Sequence, residues 1–346
     1  MKKGIKLPSI IAEIGCNFNG SLQRALKLSE LAIENGADYL KYQFFYGNNL
    51  INEKYYKKVL NLNSDKLVES INAIQLKIDE YEKLFSFNET NQFNWGVSFF
   101  SIEDAKIFFE DKKFHNFNTF SFIKIASGEI TDYPLLEYLS CINKKLNLPI
   151  IISTGISKDS EIKRSIKFFK NSGEIYLLHC IVEYPIQTKE LNLNRINRLH
   201  KKFGFTPGFS DHSLSIIPSI ISLFFGSKII EKHFTDNRDD KSADNPISIL
   251  PEELKELKDF LKIYHKFAGN GKLKISDKEL HELTYARKGL YASKKISKDS
   301  IISPMDISSR RPNLGYNDAC LFYKFINKKA KVDIEKDEPL NLSQLL

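Results

Sequence analysis

Gly208-Phe209-Ser210-Asp211-His212-Ser213 and Ile230-Glu231-Lys232-His233-Phe234 decide how this chain is read. Each is an apolar, strand-like run carrying a histidine, with an acid one or two positions before it. If the runs are neighbouring parallel strands, both imidazoles leave the sheet at the same end. Two neutral imidazoles meeting there are suited to a divalent metal. A lone histidine in such a run is more often buried and bonded to backbone, so the context must decide.

The context is a series of similar runs. Strands are expected over Ser9–Gly15, Ala37–Phe44, Trp95–Phe100, Phe122–Ser127, Pro149–Thr154, Ile175–Cys180, Thr206–Asp211 and Lys228–Phe234. They are continuously apolar, as parallel strands covered on both faces must be. Amphipathic segments lie between them. Ser21–Asn35 starts at a serine cap and stops before Gly36; Ser101–Phe109, Ile162–Phe169 and Pro251–Phe267 read similarly. Eight strand–helix units fit an α/β fold of the (β/α)8 TIM-barrel type. A doubly wound open sheet is the alternative, but no strand is followed by a Gly-rich dinucleotide or Walker signature.

The pattern changes after Phe267. Residues 1–268 are expected to form the barrel, 269–286 a polar linker, and 287–346 a small β-rich domain. The strand-like pieces of that tail are Gly289–Ala292, Ile296–Ser303, Ala330–Ile334 and Pro339–Leu340.

Composition narrows the function. The 346 residues are 42% hydrophobic and 27% charged, ample for a large core. The net charge of +8 comes from Lys and Arg spread along the chain, without the aromatic-basic motif of a nucleic-acid binder. A small anionic substrate suits it better. Cys16, Cys141, Cys180 and Cys320 show no metal or redox spacing, as in a reduced, cytoplasmic protein. The apolar run near the start is cut by Glu13, against a signal peptide. The longest apolar stretch, Ser213 to Ile230, contains Pro218, Gly226 and Lys228, against a membrane span.

In such barrels functional side chains sit at the carboxyl ends of the strands. Those ends carry Glu13, then Lys41 and Gln43, then Ser98 and Ser101, then Lys124, Ser127 and Glu129. Ser153 and Thr154 follow, then His179, Glu183 and Tyr184, then Ser210, Asp211 and His212, and finally Glu231 and His233. Lys41 and Gln43 are two apart and face the same way. A lysine inside an apolar strand needs its charge satisfied. Lys41 and Lys124 therefore read either as internal ion pairs with Glu13 or Glu129, or as a cradle for phosphate or carboxylate. Two lysines plus several serines at one mouth favour the cradle. Asp244, in the loop after the eighth strand, reads equally well as an Asx-turn residue. The set points to metal-assisted chemistry on a phosphorylated or carboxylated small molecule.

The motifs resemble the N-acetylneuraminate (sialic acid, nonulosonic acid) synthase family over nearly the whole chain. They are IAEIGCNFNGS (11–21), GADYLKYQ (36–43), FIKIASGEITDYPLL (122–136), PIIISTGIS (149–157), LLHCIVEYP (177–185), GFSDHS (208–213) and IIEKHFTDNRDDKSADNPIS (229–248). The tail, RKGLYASKKISKDSIIS (287–303) with Arg310-Arg311-Pro312, resembles the family's SAF (antifreeze-like) domain. The resemblance implies a transferase that condenses phosphoenolpyruvate with an N-acylated amino-sugar, typically N-acetylmannosamine. The product is a nine-carbon keto acid, released with phosphate by C–O cleavage. It implies His212 and His233 as ligands of Mn2+ or Mg2+. Lys41, Lys124, Ser127, Ser153 and Ser210 match phosphoenolpyruvate contacts, and the hydroxyl of Ser98 survives in a changed motif. Glu13, Gln43, Glu129, Tyr184 and Asp244 match residues around the sugar and the metal's water, with Glu13 suited to stabilise the cation at C2 or orient water. Asp211 and Glu231 are expected to orient the imidazoles. Arg311 matches a tail arginine that reaches a neighbouring subunit's site, implying a domain-swapped homodimer.

Departures from the family pattern concern the sugar. Phe18 replaces a histidine, Val182 an Asn or Ser, Lys232 an arginine and Asn245 a histidine. Phe18 and Val182 are expected to make one wall less polar, which suits a deoxy, diacylated sugar. Legionaminate or pseudaminate synthesis is therefore a variant reading, and a non-catalytic sugar-binding relative the alternative of another class.

Overall fold

The computed structural model describes residues 5, 7–60, 66–114, 117–171, 173–240, 242, 244–272 and 274–346. Lys241 and Ala243 of the 229–248 motif lie outside the described residues. The chain divides into two compact units, Met1–Gly269 and Asn270–Leu346.

In the first unit the expected strands form β1 (Ser9–Gly15), β2 (Tyr39–Phe44), β3 (Trp95–Phe99), β4 (Phe120–Ile125), β5 (Ile150–Ser153), β6 (Ile175–Cys180), β7 (Thr206–Asp211) and β8 (Ile229–His233). Each pairs parallel with the next, and β8 pairs with β1, so the sheet closes into a barrel in chain order. Closure excludes the doubly wound alternative, which leaves two free edges. Helix Leu22–Glu34 is capped by the Ser21 side chain, and Ser101 caps Ile102–Glu110 in the same way.

Strand alternation sorts the side chains into two environments. Ile10, Ala12, Ile14, Leu40, Tyr42, Phe44, Ile123, Ile150 and Ile152 point outwards into the core between barrel and helices. Ile11, Tyr39, Phe122, Ile151, Tyr176, Leu178 and Ile229 point inwards and pack together, plugging the barrel. One inward position further along five of these strands, the residues become Glu13, Lys41, Lys124, Ser153 and Glu231. An apolar plug thus carries a polar floor at the carboxyl end, where barrel enzymes place their chemistry.

The long β2–β3 connection holds helices Gly47–Leu50, Glu53–Leu60, Leu67–Ala73 and Ile78–Thr90. Asn49 Nδ2 donates to Asp104 Oδ1 at 2.7 Å, tying this excursion to the start of the helix after β3.

The second unit has its own core of Leu290, Ala292, Ile296, Ile302, Phe325, Ala330, Ile334 and Leu340. The expected strand at Gly289–Ala292 forms β9, paired antiparallel with β10 (Ile307–Arg310). β10 was not legible in the sequence. The other expected strands are present as isolated bridges, such as Ile296 with Ile334 and Tyr291 with Pro339. The stretch read as linker contains helix Asp277–Ala286, started by Ser276, whose hydroxyl accepts from Glu279 N at 3.2 Å.

Candidate active site

The mouth of the barrel is a pocket of about 330 Å³. Its lining includes Lys41, Gln43, Ser98, Lys124, Ser127, Glu129, Ser153, Tyr184, Ser210, His212, Glu231, His233 and Asp244. Of the remaining expected residues, Glu13 sits fully buried on β1 beside Lys41. Arg311 lies in the second unit, exposed, and its Nε donates to Ala286 O at 3.0 Å.

Both lysines are ion-paired, and both line the pocket. Lys41 pairs with Glu13 Oε2 and donates to Ser98 Oγ at 3.5 Å. Lys124 donates to Ser153 Oγ at 2.7 Å and to Ile125 O at 3.2 Å, and stands 3.7 Å from Glu231 Oε1. Its carboxylate partner is therefore Glu231 rather than Glu129. Ser210 Oγ donates to the same Glu231 oxygen at 3.0 Å. Gln43 Nε2 donates to the other oxygen of Glu13 at 3.0 Å.

These contacts push the carboxyl groups apart. Burial raises Glu13 to about 7, partly offset by Lys41. Burial would also raise Glu231, but Lys124, Lys41 and the Ser210 hydroxyl bring it down to about 2. Burial raises Glu129 to about 7. The pocket thus holds a fixed carboxylate beside carboxyls poised near neutrality, the separation that divides proton transfer from charge compensation.

The histidines meet as the strand reading required. Their ring centroids are 5.5 Å apart, and Tyr184 lies over His212 at 4.3 Å. Burial, and then the other histidine, lowers His212 to about 4; burial and Lys41 lower His233 to about 3. Both are therefore neutral at pH 7. His212 Nδ1 is 2.8 Å from Ile181 O, so it carries the proton and Nε2 is the free nitrogen. His233 Nδ1 is buried without a hydrogen bond, 3.4 Å from Asp244 Oδ2.

Three expectations are corrected here. Neither Asp211 nor Glu231 hydrogen-bonds an imidazole: Asp211 pairs with Lys232 at 3.2 Å on the outer face of the wall, and Glu231 serves Lys124. The carbonyl of Ile181 holds His212 instead. His179 faces outwards from β6, its Nε2 2.7 Å from Leu191 O and its ring stacked on Phe209. Phe18 is fully buried in the barrel–helix core rather than lining the pocket, so Val182 alone of that pair makes the wall less polar.

Cys180, Phe100 and Ile156 also line the pocket. The inward register of Cys180, two positions beyond Leu178, was available from alternation. Ile156 was not, because it sits in the turn after β5 with φ +44.

A sequence profile of the NeuB family matches residues 28–273. The chain belongs to the NeuB family. It is 32% identical over 342 residues to the N,N'-diacetyllegionaminic acid synthase of Campylobacter jejuni, covering 96% of this chain and 99% of the relative. It is also 32% identical over 341 residues to a Campylobacter jejuni pseudaminic acid synthase, covering 96% and 95%. The crystal structure of N-acetylneuraminic acid synthetase from Leptospira borgpetersenii serovar Hardjo-bovis, in complex with citrate, aligns with a TM-score of 0.68 at 28% identity. That alignment covers 82% of this chain and 96% of the other. Within this NeuB-family barrel, most of the pocket lining comes from the segments quoted above as motifs.

Proposed function

We propose that this NeuB-family chain condenses phosphoenolpyruvate with an N-acylated amino-sugar, forming a nonulosonic acid and phosphate. The observation that carries the reading is the convergence of Lys41 and Lys124 with His212 and His233 on one pocket at the carboxyl end of the barrel. Lysines and hydroxyls suit an anion, since they hold charge without competing as acids.

In the reaction, C3 of phosphoenolpyruvate attacks the sugar aldehyde. Water then adds at C2, and phosphate leaves by C–O cleavage. Lys124, Ser153, Ser127 and Ser210 orient the enolpyruvate, and Lys41 neutralises its charge. Glu13 is held by Lys41 and Gln43; its proposed role is to stabilise positive charge at C2 or take a proton from the incoming water. Glu129, Gln43, Tyr184 and Asp244 form the sugar side of the pocket.

A divalent metal, Mn2+ or Mg2+, fits the two histidines. Both are neutral, His212 is fixed in the tautomer that frees Nε2, and His233 has an orphaned ring nitrogen. Among the described residues no group of three or more His, Cys, Asp or Glu is gathered for a metal, so water and substrate would complete the coordination. When bound, such a metal polarises the aldehyde as a Lewis acid.

Val182, 39% exposed on the pocket wall, supports a 6-deoxy diacetamido hexose, and thus legionaminate- or pseudaminate-type synthesis, over N-acetylmannosamine. Phosphate release with Mn2+ and a panel of both sugars tests the proposal. No release with any sugar overturns it and favours a non-catalytic sugar binder, whereas a hexose preference overturns only the deoxy variant. A domain-swapped homodimer belongs to the same proposal. Subunits of Arg311→Ala and His212→Ala should regain activity on mixing, and no recovery counts against swapping. A cytoplasmic location is supported by four free cysteines. No helix among the described residues is long and apolar enough to cross a membrane.

A further inference from the structure

Lys232 lies between Glu231 and His233 on β8, yet it points the other way. Its side chain is fully buried on the helix side of the barrel wall, as is that of its cross-strand partner Asp211. Its ammonium contacts one turn at several points. It stands 3.2 Å from Asp211 Oδ2 and donates to Ser213 O at 2.5 Å and to Ser215 O at 3.3 Å. Asp211 closes the same turn from its own side. Its Oδ1 accepts from Ser213 N at 2.9 Å, and its Oδ2 accepts from Ser219 Oγ at 2.6 Å. The turn so gripped, 211–215, begins with the strand end that carries His212.

We infer that the buried Asp211–Lys232 pair is a positioning device that fixes the backbone of His212 against that of His233, and so sets the spacing of the two imidazoles. Neither residue touches the pocket. Their effect passes through the backbone: Lys232 is covalently next to His233, and it holds the two carbonyls just beyond His212. A buried ion pair contributes little net stability compared with a well-packed apolar pair, but it has directional contacts that an apolar pair lacks. Fixing a register is the use for which such pairs are best attested. Groups outside the ligand set that orient metal-binding imidazoles typically change metal affinity by about 10–100-fold. The inference rests on the reading of His212 and His233 as metal ligands.

The test uses the full-length chain and two separate probes, Mn2+ alone and phosphoenolpyruvate alone. Free Mn2+ is followed by electron paramagnetic resonance, phosphoenolpyruvate by calorimetry. Lys232→Met should weaken Mn2+ binding about tenfold or more while phosphoenolpyruvate affinity moves by less than about twofold, because Lys41 and Lys124 are untouched. Lys232→Arg, which keeps a cation and donors, should restore most of the Mn2+ affinity. Unchanged Mn2+ affinity in Lys232→Met, or a parallel loss of both ligands, overturns the inference. Should Lys232→Met fail to fold, Ser219→Ala decides. Removing the Ser219 hydroxyl that donates to Asp211 should weaken Mn2+ roughly threefold with phosphoenolpyruvate affinity unaltered, and no change in Mn2+ affinity overturns the inference. Wild-type protein that binds no Mn2+ overturns the metal reading itself, and the inference with it.

Discussion

Glu231 and Lys124 face each other across the floor of the barrel, 3.7 Å apart between Oε1 and Nζ, with both side chains almost fully buried. The pair places a permanent negative charge inside a pocket suited to an anion. Glu231→Gln leaves Lys124 without its carboxylate partner, a loss of roughly 3–5 kcal/mol in comparable buried pairs. An added anion should repair part of it. Inorganic phosphate should raise the melting temperature of Glu231→Gln more than that of the wild type, measured by scanning calorimetry. An equal or smaller rise argues that the lysine does not face the anion.

The neutral histidines make a separate expectation. Mn2+ at about ten times its Kd should raise the wild-type melting temperature by about 2–4 °C, since a ligand that binds only the folded state stabilises it. His212→Ala should lose that response and turnover together. A retained response would place the metal elsewhere.

Glu129 gives a pH dependence with a defined sign. Its carboxyl is raised from 4.5 to about 7 by burial, so between those values the folded chain holds a proton that the unfolded chain has released. Stability from this group is therefore lost as pH rises from about 4.5 to about 7. Glu129→Gln should be more stable than the wild type at pH 8, and the gain should vanish as pH falls towards 4.5. Melting curves across that range check it; a pH-independent difference would contradict the burial argument.

Gly15 is closely packed against three polar groups of the site. It has φ +53 at the irregularity where β1 shifts register against β2. A Cβ there would lie 2.9 Å from Glu13 Oε1, 3.1 Å from Asp244 Oδ2 and 3.3 Å from Gln43 Nε2. Gly15→Ala should destabilise the chain by about 1–2 kcal/mol through backbone strain. By displacing Glu13 it should also lower kcat at least tenfold, with less effect on the Kd for phosphoenolpyruvate. Unaltered kcat would show that Glu13 is free to shift without consequence.

The sequence was most legible where one rule governs many residues. Continuous apolar runs located all eight strands within a few residues, and period-two alternation explains why Lys41, Lys124 and Glu231 share the floor. It failed where contacts come from elsewhere. The long excursion between β2 and β3 showed no single periodicity, because its short helices are held by side-chain ties such as Asn49 to Asp104. Phe18 sits in a turn after β1, where alternation no longer says which way a side chain points, and it is buried in the core.

By itself the sequence determined the eightfold alternation, the chemical types at the strand ends and the family motifs, because these depend on local patterning and residue identity. Only the tertiary structure decided the partnerships. Lys124 pairs with Glu231 rather than Glu129, Ile181 O rather than Asp211 holds His212, and Asp211 with Lys232 lies behind the wall. Which carboxylate reaches which cation depends on the register between strands and on the loops that cover their ends. Those are fixed only when distant segments pack, and no spacing along the chain encodes them.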